Sequence, residues 1–299
     1  MRRVAMMIFC GARNRTPALI AALALVASLL VAGCADAEAP AVDDGKKLSI
    51  TYLANEGFLL QVGESAILID ALFGDGLSGY QVVPPAIRSE LEAGEGRFQA
   101  VDCVLVTHAH ADHFDASAVA RFLAARPAQL ISTREVVEAV GAPSDEPAGP
   151  EPRWYRPPRG EIERTDCGSA AVSLLSLHHG HLMVKNLGFI IEIAGFRILH
   201  VGDTSVRADE IRPYALPTLD LDVAILPAWL LGEEARLPVV EEIAARHVVA
   251  MHLPRDDAPQ SWFGNAGSLD RQIDEIRRRV PGAWIPTEPL ATERFARPH

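Results

Sequence analysis

Three histidines and an aspartate lie within six residues, directly after an apolar run that is typical of a β-strand. They are His108, His110, Asp112 and His113. Imidazole nitrogens and carboxylate oxygens are good ligands for zinc and similar divalent ions, and a tight loop can direct alternate side chains towards two neighbouring ions. Packing four such side chains together without a ligand would cost desolvation free energy. The spacing therefore predicts a metal site, with a solvated surface loop as the less favoured interpretation.

Other candidate ligands also follow apolar runs. Asp70 ends one such run, Asp203 follows another run after a glycine, and His252 follows a third. Taken alone, Asp70 could cap a turn or a helix, and His252 could be an ordinary structural histidine. The string Leu177-His178-His179-Gly180-His181 offers three more imidazoles after a strand-like run.

The H-x-H-x-D-H pattern resembles the signature of the metallo-β-lactamase superfamily, and the other elements of that family follow in order through most of the chain. The resemblance implies an α/β fold, a four-layer αββα sandwich. It implies two divalent metal ions, with zinc expected and manganese or iron as alternatives. Carried over residue by residue, it assigns His108, His110 and His179 to one metal, Asp112, His113 and His252 to the other, and Asp203 to a bridge between them.

The same resemblance gives roles to the remaining candidates. Asp70 would orient the metal cluster from behind the ligands, and together with Asp112 and Asp203 it would offset part of the metal charge. Among the three imidazoles after the strand, His179 is preferred because it stands directly before glycine, as in the Pro-His-Gly version of the motif. His178 is the second choice and His181 the third. His200 is expected to be a packed or surface residue rather than a ligand.

Two cations about 3.5 to 4 Å apart can share a water and lower its pKa towards 7. The implied function is therefore a hydrolase that acts on a small ester, lactone or phosphoester substrate. In this family Thr-Pro-Gly usually follows the histidine of the third motif, which here is the string Leu177–His181. That sequence is missing, and Lys185–Phe189 leads into the next strand instead. This arrangement resembles the branch of ascorbate-phosphate lactonase-like hydrolases. Asn55 stands where many members of that branch have histidine, so lactonase activity does not carry over directly. The alternatives are a di-iron oxidoreductase on the same scaffold and a non-catalytic metal- or partner-binding lipoprotein.

The first 33 residues differ in character from the rest. Arginines precede an apolar run of about 15 residues, which is short of the roughly 20 that a membrane-spanning helix needs, and the run ends in Val-Ala-Gly before Cys34. This pattern is similar to a bacterial lipoprotein signal peptide. We expect cleavage before Cys34, which removes residues 1–33, and lipidation of Cys34. A tether is then expected over 34–47 and a hydrolase domain over 48–299. Ala35 favours anchoring at the outer membrane, facing the periplasm, over the inner membrane; an uncleaved anchor and a plain secretory signal are the alternatives.

The elements that must position these residues are short strands and amphipathic helices. Strands are predicted at 48–52, 58–62, 66–69, 103–106, 170–177, 188–193, 196–201, 223–226 and 248–251, and helices at 116–125, 239–246 and 268–279. The formal net charge of −11 argues against nucleic acid as a partner, and a small-molecule substrate is expected.

Several further features bear on the surroundings of the site. The glycine-rich segment 74–79 lacks the lysine of a phosphate-binding loop and is predicted to lie beside the active site. Among the loop aromatics, which are Trp154, Tyr155, Trp229, Trp262 and Phe263, Trp229 is expected nearest the metals. The proline-rich stretch 142–159 is interpreted as a surface loop with an edge strand. Cys103 is expected to be a buried free thiol, with a disulfide as the alternative.

Overall fold

The computed structural model describes residues 47–141, 149–258 and 268–297. The predicted signal peptide, Cys34 and the tether up to residue 46 lie outside the described residues. So do Trp262, Phe263 and the part of the proline-rich stretch at 142–148. A compact unit extends from Gly45 to His299, and its first strand begins at Leu48. Over the described residues, none of the helices has the length and apolar character needed to cross a bilayer.

Strands and short helices alternate through this unit. The strands in the described ranges are β1 (Leu48–Ala54), β2 (Gly57–Val62), β3 (Ser65–Ile69), β4 (Val101–Leu105), β5 (Gln129–Ser132), β6 (Arg153–Trp154), β7 (Glu163–Cys167), β8 (Ala170–His178), β9 (Lys185–Ile193), β10 (Phe196–His200), β11 (Val223–Pro227), β12 (His247–Met251) and β13 (Thr292–Phe295). The α-helices there are α1 (Pro85–Glu92), α2 (Ala116–Ala125), α3 (Arg134–Val140), α4 (Ala208–Ile211), α5 (Ala228–Gly232), α6 (Leu237–Ile243) and α7 (Leu269–Arg279).

The strands form two mixed sheets. The first has the order β13-β1-β2-β3-β4-β5-β6, and the second has the order β12-β11-β10-β9-β8-β7. Side chains along a strand point alternately to opposite faces. In β3, accordingly, Ile67 and Ile69 pack in the core between the two sheets, whereas Ala66 and Leu68 pack against the helices outside the first sheet.

Both sheets carry helices on their outer faces. Val119 and Phe122 of α2 belong to the core that covers the first sheet. Leu230 of α5 and Ile276 of α7 pack with the second sheet. Sheets buried on both faces account for the nearly continuous apolar runs of the sequence. The layers are helix, sheet, sheet and helix, which confirms the predicted αββα sandwich.

One edge of this sandwich gathers the chain segments that carry the candidate ligands. β3 and β4 run parallel and end at Ile69 and Leu105, and β10, β11 and β12 are parallel in the second sheet. The two sheets are joined at this edge by a hydrogen bond from the Leu187 N–H to the Thr107 carbonyl (3.0 Å). The loops that leave these strands therefore open side by side.

The prediction of a free thiol at Cys103 is wrong. Cys103 forms a disulfide with Cys167, 64 residues later in the chain. The bond connects β4 of the first sheet to β7 of the second. The partner was missed because only the packing of the two sheets brings these residues together, and the apolar neighbourhood of Cys103 suits a buried thiol equally well.

Candidate metal centre

Four donor side chains form the first group at the open edge. They are His108, His110, His179 and Asp203, and one ligand atom from each lies within 4.8 Å of all the others. The Nε2 atom of His108 is 3.9 Å from Oδ2 of Asp203, and that of His179 is 3.6 Å from the same oxygen. Three imidazoles and a carboxylate are a donor set that suits zinc.

A second group lies beside the first and shares Asp203 with it. It consists of Glu56, His113, Asp203 and His252, again with donor atoms within 4.8 Å of one another. Asp112 flanks this group, because its Oδ2 lies 3.5 Å from Nε2 of His252. The amide of Asn55 donates to the same oxygen of Asp112 (3.1 Å) and so fixes the carboxylate.

Asp203 lies between the two groups. Its Oδ1 is 3.4 Å from Nε2 of His113, and its Oδ2 is 3.4 Å from Nε2 of His252. The turn that delivers it needs glycine at position 202, where φ is +56° and a Cβ atom would come within 2.3 Å of Oδ1 of Asn186. The sequence pattern of apolar strand, glycine and aspartate thus has a steric basis.

Asp70 supports the cluster from behind. Its Oδ1 accepts a hydrogen bond from the backbone N–H of Thr107 (2.7 Å), and its Oδ2 accepts from the Thr107 hydroxyl (2.6 Å). The same Oδ2 is 2.9 Å from Nδ1 of His113. This contact orients the imidazole so that its other nitrogen, Nε2, faces Asp203. A carboxylate behind a metal-binding histidine is a frequent arrangement in metal sites.

Donor atoms without partners show that these residues fit a metal centre. Buried polar atoms in folded proteins are normally hydrogen-bonded. Here the buried atoms without a hydrogen-bond partner include Nε2 of His108, His113 and His179, Oδ1 of Asp112 and Asp203, and both carboxylate oxygens of Glu56. So many buried nitrogen and oxygen atoms without partners would cost folding free energy unless cations bind between them.

The electrostatics of the two groups differ. Burial, together with the neighbouring His113, holds the pKa of His108 well below its usual range, so this imidazole is neutral. Burial opposes protonation of His252, but Asp203 and Asp112 outweigh it and raise the pKa to about 9. In the opposite direction, His252 and His113 hold the pKa of Asp203 well below its usual range despite its burial. The second group thus carries the greater negative potential.

The three histidines of the third motif separate clearly. His179 is 7% exposed and belongs to the first group. His178 turns away, with Nδ1 3.2 Å from the Ser205 hydroxyl, and His181 is exposed. His200 is fully buried, its Nδ1 accepts from the Gly202 N–H (3.2 Å) and its Nε2 lies 3.3 Å from the Glu56 carbonyl oxygen, so both nitrogens are engaged.

Sequence reasoning missed Glu56. This residue and Asn55 form the two-residue turn between β1 and β2, and both are fully buried. One carboxylate oxygen of Glu56 is 3.3 Å from Nδ1 of His113. Burial and the negative charge of Asp203 raise the pKa of Glu56 well above its usual range. The only signal in the sequence was its place beside Asn55. Glu56 was missed because a polar pair in a tight hairpin turn normally faces solvent.

A cavity of about 720 Å³ adjoins the second group. His252 forms part of its wall, and the rings of Tyr80 and Trp229 stand edge-on to the imidazole at centroid distances of 4.2 and 4.9 Å. The indole N–H of Trp229 donates to the carbonyl of Thr204 (2.9 Å). Trp229 therefore lies beside the site as predicted, and Tyr80 follows the glycine-rich segment, which also reaches this edge.

The Beta-lactamase superfamily domain is the family whose sequence profile matches this chain, over residues 49–252. The match covers more than two thirds of the sequence and includes every donor residue of both groups. This chain belongs to the β-lactamase superfamily. Among similar curated proteins, the UPF0173 metal-dependent hydrolase of Rubrobacter xylanophilus is 29% identical over 251 residues, which are 78% of this chain and 94% of that protein. The prediction of a metal-dependent hydrolase of this superfamily is confirmed.

Two solved structures of other proteins share the fold. Igni18, a metallo hydrolase from the archaeon Ignicoccus hospitalis, matches with a TM-score of 0.55 at 20% identity, over 84% of this chain and all of that one. CmlA, a diiron β-hydroxylase from Streptomyces venezuelae, matches with a TM-score of 0.53 at 14% identity, over 84% of this chain and 54% of that one. At these identities the likeness shows a shared fold alone.

Proposed function

We propose that this β-lactamase superfamily protein is a hydrolase with a dinuclear centre that cleaves a small ester, lactone or phosphoester substrate. The observation that carries the proposal is the position of Asp203, one carboxylate oxygen facing His113 and the other facing His108, His179 and His252. Two divalent cations, with zinc the expected species, would supply an activated water and a Lewis acid between these ligands.

The residues of the chain prepare the site before substrate arrives. Neutral His108 presents a free nitrogen for coordination without having to lose a proton. Asp70 and Asn55 hold His113 and Asp112 in place through buried hydrogen bonds, so little reorganisation is needed on binding. The cavity walled in part by Tyr80 and Trp229 offers aromatic surface for the organic part of a small substrate. A lactone is one member of this substrate class, and the sequence resemblance to ascorbate-phosphate lactonase-like hydrolases supports its inclusion, although Asn55 departs from their pattern.

Elemental analysis of the purified protein tests the metal centre. We expect about two equivalents of zinc, iron or manganese in the wild type. Asp203→Ala should lower the content at both positions, because its carboxylate serves both groups. His179→Ala should remove metal from the first position, whereas His178→Ala is the matched control and should keep the wild-type content. A metal-free wild type, or equal losses in both histidine variants, would contradict the proposal.

A di-iron oxidoreductase is the second candidate, and Glu56 is the observation that favours it. With Glu56, Asp112 and Asp203 the second position has three carboxylates, and oxygen-rich sites prefer iron or manganese to zinc. A screen of hydrolysable esters, lactones and phosphoesters with zinc-loaded protein separates the two functions. Turnover with zinc favours the hydrolase, because zinc has no redox chemistry. Inactivity with zinc, combined with oxygen consumption by iron-loaded protein, would favour the oxidoreductase.

We propose further that the protein is exported and anchored through a lipidated Cys34, facing the periplasm, with the outer membrane favoured. The proposal is supported by the apolar run that ends in Val-Ala-Gly before Cys34. The Cys103–Cys167 disulfide adds support, because disulfides persist in oxidising compartments. Radiolabelled palmitate should be incorporated into the wild type and into Cys10→Ala, the matched control, but not into Cys34→Ala. Labelling of all three chains would contradict lipidation at Cys34.

A further inference from the structure

A second cavity, of about 250 Å³, is lined by residues 155–159, by the end of β8 and by the start of β9. Its wall contains three basic side chains, Arg156, Arg159 and Lys185, and no acidic residue. Within the described ranges, none of the three has an ion pair or a side-chain hydrogen bond. Arg156 and Arg159 are exposed and Lys185 is half-buried, so three unpaired positive charges surround one cavity of a protein whose formal net charge is −11.

A buried hydroxyl in the same wall also lacks a partner. Thr133 follows β5, is 2% exposed, and its Oγ1 makes no hydrogen bond. A buried polar atom of this kind costs free energy until an oxygen-containing ligand or a water reaches it. The hydroxyl is independent of the three charges, and both features suit a ligand rich in oxygen.

The segment that carries the two arginines is held in place. The backbone N–H of Tyr155 donates to the Ser132 carbonyl (3.0 Å), and the Ser176 hydroxyl donates to the Pro157 carbonyl (2.6 Å). Pro157 and Pro158 have fixed φ angles. The backbone of this segment therefore loses little conformational entropy when a ligand binds.

Two segments that line the cavity lead directly to the first group of metal donors. Lys185 is the direct cross-strand partner of His178, the last residue of β8, and the donor His179 follows that strand. The backbone N–H of Leu187, another residue of the wall, bonds to the carbonyl of Thr107, which precedes His108. The residues that line the cavity and the first group of metal donors therefore lie on consecutive segments of the chain.

We propose that the Arg156–Arg159–Lys185 cavity binds an oxyanion group, such as a carboxylate, sulfate or phosphate, carried by the molecule that is hydrolysed at the metals. The claim that this molecule is hydrolysed rests on the proposed function, whereas the anion site itself does not. Guanidinium groups can bind carboxylate, sulfate and phosphate through paired charge-assisted hydrogen bonds, which suits them to this class of ligand. The substrate is then a small anionic ester or lactone rather than a neutral one.

Isothermal titration with inorganic sulfate tests the anion site on the metal-loaded full chain. The wild type should bind one sulfate, and the double variant Arg156→Gln/Arg159→Gln should bind it at least about tenfold more weakly. Arg121→Gln is the matched control, since Arg121 is an exposed arginine of α2 paired with Glu92, and it should bind as the wild type does. Binding should persist in Asp203→Ala, which separates the cavity from the metals. Sulfate binding that is absent in the wild type, or unchanged in the double variant, overturns the proposal.

Kinetics on paired substrates then test the link to hydrolysis. For an ester that bears a carboxylate or phosphate group, the double variant should raise KM about tenfold or more with little change in kcat, whereas a matched neutral ester should be unaffected. An equal effect on both substrates overturns the assignment of the cavity to the substrate's anionic end. If sulfate binding is lost in the double variant while zinc-loaded wild type hydrolyses nothing, the anion site stands and the proposed hydrolase function fails.

Discussion

At the scale of single residues, the centre is defined by carboxylates that the protein buries at some cost. Asp70, Asp112 and Glu56 are each at most 1% exposed, and Asp203 lies between them and the histidines. Three backbone positions at the site, Asn55, Asp70 and His252, have positive φ angles of +47°, +45° and +56°, which non-glycine residues rarely adopt. Buried charge and strained backbone in one place are typical of a site that selection has kept for chemistry.

Glu56→Gln is expected to weaken metal binding at the second position. The variant keeps the shape of the side chain and removes its charge, so we expect the affinity of that position to fall roughly tenfold to a hundredfold, as for other groups around metals. The first position should keep its metal. Competition with a coloured chelator measures both affinities.

A readout on the metal-free protein separates this role from a structural one. Without metal, Glu56 is a buried carboxylate beside Asp203 and lacks a hydrogen-bond partner, so the glutamine variant should be at least as stable as the wild type. Glu64→Gln is the matched control, because Glu64 is an exposed glutamate in the turn between β2 and β3. Unchanged affinity at both positions, or a metal-free variant that fails to fold, would count against a role in metal binding.

At the scale of elements, strand ends explain why most of the site could be predicted. Apolar strands with both faces buried are easy to recognise in a sequence. The polar residues that follow them, such as Asp70 and His108, therefore lie at the edge of the sheet. Helix α2 was also predicted at its full length, since Asp115 caps it through a hydrogen bond to the Ala118 N–H (2.7 Å). Edge strands such as β13 carry half-exposed residues and no clear pattern, so β13 was missed.

Glu56 and the disulfide escaped prediction for a related reason. Both depend on pairing between distant segments that no local pattern records. The local pattern predicts a solvent-exposed side chain for a glutamate in a hairpin turn, and it predicts a buried thiol for Cys103 in an apolar strand. Only the packing of the two sheets places Glu56 beneath Asp203 and brings Cys103 to Cys167.

The disulfide between β4 and β7 is expected to stabilise the contact of the two sheets. A cross-link that closes a loop of this length is worth roughly 4 kcal/mol in the chain-entropy description, which corresponds to a decrease in Tm on the order of 10 °C when it is lost. Cys103→Ala/Cys167→Ala should show this decrease in calorimetry. Dithiothreitol should lower the Tm of the wild type and leave that of the double variant unchanged. The expectation would be contradicted if dithiothreitol left the Tm of the wild type unchanged although thiol titration showed both cysteines to be reduced.

At the scale of the whole molecule, charge is distributed unevenly. The protein is acidic overall, and its candidate metal centre concentrates four carboxylates, whereas the cavity lined by Arg156, Arg159 and Lys185 is basic. A field of this form would draw cations to the centre and anionic groups to the basic cavity. The candidate metal donors come from segments of both packed sheets, so we expect metal binding to be coupled to the stability of the fold.

Removal of the metals is therefore expected to lower the stability of the entire domain. Ligands that bind only the folded state stabilise it by about 4 kcal/mol when present at a thousand times their Kd. Chelation should then lower Tm by on the order of 10 °C, because the folded state loses the free energy of cation binding. Asp203→Ala should respond little to chelator, since it binds metal poorly. His178→Ala, the control that leaves the ligands intact, should respond as the wild type does. Equal Tm values for metal-loaded and metal-free wild type would show that the centre is assembled by the fold alone, and the coupling between metal and stability would be rejected.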